Sequence, residues 1–147
     1  MNPLAHIFIT YSAAGMIFEE AGRYVLLIAA LAVIVDLDHM PGIFTYPRQK
    51  RRDYATQVAH FRSILQEPVG VMLAGMLLLY ALRGEIAAIA AFCLLMHWLI
   101  DFLTVHTRPL YPFSDKLVCL FFKTKKAKII SDIAITALSG AVFAIFR

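Results

Sequence analysis

The 147-residue sequence is poor in charge: only 16% of its residues are Asp, Glu, Lys or Arg, whereas 61% are hydrophobic. Soluble domains usually carry about 25% charged and about 45–50% apolar residues. A single small core cannot hide so many apolar side chains from water, and disordered chains have the opposite composition. This composition, with a mean hydropathy of +0.72, therefore excludes both classes and indicates an integral membrane protein.

Cysteine is also scarce, since Cys93 and Cys119 are the two in the sequence. One lies in an apolar run and the other in a basic segment, without the spacing of a thiolate metal site or a disulfide framework. The start, MNPLAHIFIT, has no basic residue before its apolar run and no small-residue cleavage motif, so we expect no removable signal peptide. The sequence indicates one domain over residues 1–147.

Five apolar stretches separated by polar turns predict an all-α transmembrane bundle of about five helices. The alternation of polar and apolar residues that is typical of strands is absent. A bilayer core about 30 Å thick takes about 20 helical residues to cross, so each helix must continue through the polar residues at its end. The predicted helices cover residues 3–18, 22–39, 60–82, 86–104 and 128–146.

Lysine and arginine are distributed unevenly between the predicted loops. Segments 36–63 and 104–128 hold 11 of the 14 basic residues, and five antiparallel helices place both segments on one side of the membrane. By the positive-inside rule this side is cytoplasmic, so we expect an integral membrane protein with a cytoplasmic N-terminus. The run from Lys116 to Lys128 also suits anionic headgroups. Membrane lipids are therefore expected partners, and nucleic acid is not.

Histidine and aspartate residues gather at the cytoplasmic end of this predicted bundle. His97 and Asp101 are spaced i, i+4 and so share one helix face. Asp36 and His39, at i, i+3, also share a face, while Asp38 points elsewhere and suits a second metal or a catalytic base. Ionisable groups inside a membrane need mutual partners or a metal, and mixed imidazole and carboxylate ligands suit Zn, Mn or Fe. The predicted ligands are His6, Asp36, His39, His60, His97 and Asp101.

The order of these motifs resembles the YdjM-type family of predicted membrane-bound, metal-dependent hydrolases. The similarity covers about residues 4 to 116 and is carried by LAHIFITYSAAG, LAVIVDLDHMPG, HFRSILQEP and HWLIDFLT, the last followed by RPLYPFSD. It implies a prokaryotic inner-membrane location and a site that contains His6, Asp36, Asp38, His39, His60, His97 and Asp101. Gln66 stands where the family usually has a second histidine. A more distant similarity to zinc-dependent phospholipase C and P1-type nucleases favours phosphoester substrates.

These observations predict a membrane-embedded metal-dependent hydrolase that acts on a phosphoester or another amphiphilic, lipid-like substrate at the cytoplasmic face. The bound metal, zinc in the first instance and manganese or iron otherwise, would activate a water molecule. Asp36, Asp38 or Glu67 would accept its proton, and Arg62 would bind a phosphate oxygen.

Two alternatives start from the same residues. A non-enzymatic membrane protein could bind, sense or transport a divalent metal or protons through the same cluster, and a structural subunit could carry a stabilising metal. The nearly apolar outer halves of the first four predicted helices favour catalysis or binding over conduction. The sequence assigns no role to His106.

Overall fold

The computed structural model describes residues 3–39, 62–121 and 125–146; of Asp38, His39, Lys125 and Phe146 it describes the backbone. Within these ranges the chain is helical and contains no strand, which confirms the predicted all-α class for this part of the chain. The five α-helices are α1 (Pro3–Ile17), α2 (Val25–Ile34), α3 (Pro68–Ala81), α4 (Glu85–Thr104) and α5 (Lys125–Phe146). Short 3-10 helices cover Ala21–Tyr24, Val35–His39 and Ile64–Gln66.

The third α-helix begins at Pro68 and not near residue 60, where the sequence predicted its start. Proline suits the first turn of a helix, where its missing N–H is not needed, and it disfavours helical backbone in the residue before it. Glu67 is accordingly extended, with φ −106° and ψ 159°. Residues 62–67 therefore form a separate segment beside α3, which we call the 62–67 segment.

Helix α1 packs against α2, α4 and α5, while α3 packs on α4. Small side chains allow these helices to approach closely at one end of the bundle. Because a short connection joins α1 to α2, they are antiparallel neighbours. The start of α1 and the end of α2 therefore lie together at the opposite end. The buried apolar cluster at the first end consists of Ala14, Ala21, Ile28, Ile89 and Cys93.

Two helices are long and apolar enough to cross a membrane, judged by length and composition: Glu85–Thr104 and Lys126–Ile145. With 15 and 14 residues, α1 and α3 rise only about 22 and 21 Å, less than a bilayer core of about 30 Å. Helix length in the described ranges thus supports two spans where the sequence predicted five.

Gly70 is the residue of α3 that packs directly against the backbone of the 62–67 segment. A Cβ atom here would overlap the backbone carbonyl of Ile64, which cannot rotate away as a flexible side chain could. We expect Gly70→Ala to destabilise the fold by about 1–3 kcal/mol. Gly75→Ala is the matched control on the same helix, because its Cβ would meet nothing within 4 Å. Thermal unfolding in detergent measures both, and equal shifts of the two midpoints would contradict this packing.

Candidate metal centre

Three side chains from separate helical elements meet at one end of the bundle: His6 of α1, Asp36 of the 3-10 helix after α2, and His97 of α4. Each offers one ligand atom, and these atoms lie within 4.8 Å of one another. The two imidazole rings stack with centroids 4.3 Å apart, and His97 Nε2 lies 3.5 Å from Asp36 Oδ1. We call these three residues the His6–Asp36–His97 group. This group could hold a metal ion.

The helical repeat brings the two histidines together. On α1, the buried residues His6, Thr10 and Ala14 recur every four positions and so form one face. On α4, Cys93 and His97 have the same spacing and are also buried. The first helix therefore faces the fourth along a stripe that is apolar at one end and carries histidine at the other.

A hydrogen bond to the backbone of α2 fixes the orientation of the His97 ring. Nδ1 of His97 lies 3.0 Å from the carbonyl oxygen of Ala32. A carbonyl oxygen only accepts, so this nitrogen carries the hydrogen, and Nε2 of the neutral ring presents a lone pair. Nε2 is buried and has no hydrogen-bond partner among the described residues. Metal-bound histidines are held in the same way, by an N–H donated to a carbonyl or carboxylate.

His6 is fully buried, and neither of its ring nitrogens makes a hydrogen bond within the described ranges. Leaving a buried polar atom unsatisfied costs about 1–3 kcal/mol. A cation bound at the edge of the two rings, beside Asp36, would satisfy one nitrogen of each ring, and two imidazoles with one carboxylate are a donor set found for zinc and for non-haem iron. The chemistry of the His6–Asp36–His97 group therefore fits a divalent transition metal.

The group is closed on one side and open on the other. His6 and His97 have side chains that are 0% and 1% exposed, whereas the Asp36 side chain is 24% exposed. Water or a substrate would therefore reach the group past Asp36.

Asp101 joins this group to a second buried cluster. Its Oδ1 lies 3.4 Å from His6 Nε2, and its Oδ2 lies 3.9 Å from His97 Nε2. The sequence predicted Asp101 as a metal ligand on the face of His97. Oδ2 also accepts a hydrogen bond from Arg62 Nη1 at 2.7 Å. One carboxylate oxygen is thus held by a guanidinium at the edge of the group.

Arg62 and Glu67, which the sequence predicted as catalytic residues, are engaged with other protein groups. Arg62 Nη2 donates to the Gln66 carbonyl at 2.8 Å and Nε donates to Glu67 at 3.4 Å. Glu67, fully buried, also accepts from the backbone N–H of Arg108 at 3.1 Å. All three nitrogens of Arg62 therefore donate inside the protein, and Glu67 is part of the same buried network. Phosphate binding by Arg62 and proton transfer to Glu67 stay predictions.

Gln66 connects the 62–67 segment to the end of α2. Its buried side-chain amide donates to the carbonyl oxygen of Val35 at 2.9 Å. Val35 directly precedes Asp36, so this bond holds the backbone that carries one member of the candidate metal group. In this chain the glutamine therefore positions Asp36, a candidate ligand, through the backbone.

Some predicted residues are not placed by the structure. His60 and the side chains of Asp38 and His39 lie outside the described residues. His106, in the loop after α4, is not part of the metal-binding group.

Sequence reasoning missed the structural role of Arg108. Its guanidinium donates to the Arg62 carbonyl at 2.9 Å, and its Nε lies 3.5 Å from Glu67. The need to neutralise buried carboxylates could have indicated this role of Arg108. Once Asp101 and Glu67 are both buried, Arg62 neutralises only one of them and a second cation is required.

No family model, curated protein or solved structure matches this chain. The interpretation of the site is therefore based on its own geometry and on the motifs in the sequence.

Glu67→Gln tests the buried charge balance. The substitution preserves shape but removes the buried carboxylate that pairs with the buried Arg62 and the half-buried Arg108, so we expect a loss of about 3–5 kcal/mol in unfolding free energy. Glu20→Gln is the control, because Glu20 pairs with Arg23 at 2.7 Å on the surface, where such pairs contribute little. Denaturant unfolding in one detergent measures both variants. A loss for Glu67→Gln no larger than that for Glu20→Gln would show that the buried network does not hold this end together.

Proposed function

We propose that this protein is a membrane-embedded, metal-dependent hydrolase that acts on an amphiphilic phosphoester at the cytoplasmic face of a prokaryotic inner membrane. The observation that carries the proposal is the His97 ring. Its Nδ1 is tied to the Ala32 carbonyl, so that Nε2 faces Asp36 and the stacked ring of His6. The motif order that resembles the YdjM-type hydrolases supports the choice of reaction.

Exposed apolar side chains support a lipid environment. On α5, Ile130, Ile133 and Leu138 are 69%, 68% and 69% exposed, and almost none of the Lys126–Ile145 window is buried. On α3, Met76 and Tyr80 are 65% and 88% exposed. Extensive apolar surface of this kind marks contact with a membrane or a partner. Shorter helices such as α1 and α3 are tolerated in a bilayer that thins around them.

The residues of the site would divide the work as follows. His6, Asp36 and His97 hold the cation, which when bound would polarise a phosphoryl oxygen and make water reactive at neutral pH. Arg62 keeps Asp101 in place beside His6. Asp38 stays our predicted proton acceptor. The open side at Asp36 would admit the polar head of a substrate whose apolar part stays in the lipid.

The rival function is binding or transport of a metal without hydrolysis. Conduction requires polar groups that continue through the bundle. In the described residues, the end of the bundle opposite the metal group is instead filled by apolar side chains such as Ile28 and Ile89. This distribution favours a one-sided site over a transport path.

Metal content is the direct test. We expect the wild-type protein, purified in detergent, to contain about one equivalent of zinc, manganese or iron. His97→Ala should lose it, because the ring supplies a ligand atom. His106→Ala is the matched control and should retain it, since His106 is not in the group. Elemental analysis measures all three proteins.

The result decides between the candidates in two steps. Equal metal content in wild type and His97→Ala would overturn the site assignment. If His97→Ala loses the metal, the wild-type protein is then assayed on vesicles that contain phospholipid or isoprenoid phosphate. Failure of the wild type to release phosphate or headgroup would favour a metal-binding protein without hydrolytic activity.

Gln66→Met tests the link between the 62–67 segment and Asp36. The methionine keeps the length of the side chain but cannot donate to the Val35 carbonyl. We expect metal affinity to fall about 10-fold or more, as when outer contacts of ligands are removed. Ser63→Ala is the control in the same segment, where the hydroxyl accepts from the Leu65 N–H at 3.1 Å. Chelator competition measures both, and equal affinities would show that Gln66 does not position Asp36.

A further inference from the structure

The loop from Val105 to Phe121, between α4 and α5, has a fixed shape. Thr107 and Val118 pair through two backbone hydrogen bonds of 2.9 Å each. Between these two residues in the sequence, the Phe113 N–H donates to the Leu110 carbonyl at 2.8 Å. These bonds satisfy the backbone locally and close the loop into a tight turn.

The base of this loop is fastened to the buried cluster beside the metal group. Thr107 is fully buried, and the Arg108 backbone N–H donates to Glu67 at 3.1 Å. The Arg108 guanidinium also lies over the Tyr111 ring, 4.2 Å from its centroid. Through Glu67 and Arg62 the loop is therefore connected to Asp101 at the edge of the metal site.

The tip of the loop nevertheless presents large apolar side chains outward. Phe113 is 89% exposed and Leu110 is 61% exposed. Burying either side chain in an apolar medium gains about 1.5–3 kcal/mol. Because the backbone is already fixed, little further ordering cost opposes that gain. A rigid turn with two apolar side chains thus suits insertion into another phase.

The lysines in and after the loop indicate which apolar medium the loop would enter. Lys116, in the loop, and Lys126, shortly after it, are exposed and belong to a basic run that extends to Lys128. Apolar side chains flanked by lysines are the pattern of segments that lie in the interface of an anionic bilayer. A protein partner would require no such excess of positive charge.

We propose that this loop inserts Leu110 and Phe113 into the headgroup region of an anionic bilayer, beside the candidate metal site. The proposal rests on the membrane location given above. It places the side of the site that carries Arg62 and Asp101 next to the lipid leaflet, where an amphiphilic substrate lies.

Depth measurements on proteins with one accessible cysteine test this placement. Cys119→Ser removes the less buried native thiol, and Cys93 is fully buried. In that background, Phe113→Cys reports on the tip. Asp115→Cys, two residues away and with a native side chain that is 86% exposed, is the control. Each protein is labelled with an environment-sensitive fluorophore and reconstituted in phosphatidylcholine vesicles with or without phosphatidylglycerol.

We expect the label at position 113 to emit further to the blue than the label at 115, and to be quenched by lipid-borne quenchers. This difference should grow when phosphatidylglycerol is present. Equal emission and equal quenching by aqueous iodide at both positions would overturn the proposal. A shift that does not depend on phosphatidylglycerol would overturn the preference for anionic lipid.

A third label, at Ile133→Cys on the exposed face of α5, separates this proposal from the proposed membrane location. Lipid quenching at 133 without quenching at 113 rejects the loop insertion alone. Aqueous behaviour at both positions rejects the membrane location as well. Neither outcome depends on metal, which is measured independently.

Discussion

The ion pair between Arg62 and Asp101 holds together the end of the bundle that carries the His6–Asp36–His97 group. Their side chains are 1% and 4% exposed, and charges buried to this extent cost several kcal/mol each unless they are paired. The pair fastens the 62–67 segment to α4. Glu67 in turn draws in Arg108 and with it the base of the following loop. One electrostatic requirement therefore fixes three elements around the candidate site.

The two ends of the bundle are held together by different kinds of contact. At one end, small and apolar residues such as Ala14 and Cys93 allow close helix packing. At the other, hydrogen bonds across elements set the spacing: His97 to the Ala32 carbonyl, and Gln66 to the Val35 carbonyl. Directional bonds define the separation of ligand atoms more closely than apolar packing does. The polar end is accordingly the one suited to holding an ion.

The sequence predicted helix ends well where local residues mark them. It could not predict contacts between residues that are far apart in the chain. Helices predicted over 3–18 and 86–104 lie within one residue of those observed, because polar turns and prolines mark their ends. Antiparallel order then sufficed to predict that helix ends carrying histidine and aspartate would converge. No spacing rule could predict that Arg62 meets Asp101, 39 positions away, since that contact arises only after α3 and α4 have packed.

Under the proposed function, that contact would also affect the charge that the site offers to a phosphoester. A divalent cation held by two neutral imidazoles and the Asp36 carboxylate would retain about one positive charge, which attracts an anionic phosphoester through the low dielectric of the bundle. An unpaired second carboxylate beside His6 would cancel this charge. Because Arg62 neutralises Asp101, the positive charge is preserved. The residue that the sequence suggested as a direct phosphate ligand can thus favour phosphate binding from a distance, by neutralising a carboxylate that would repel it.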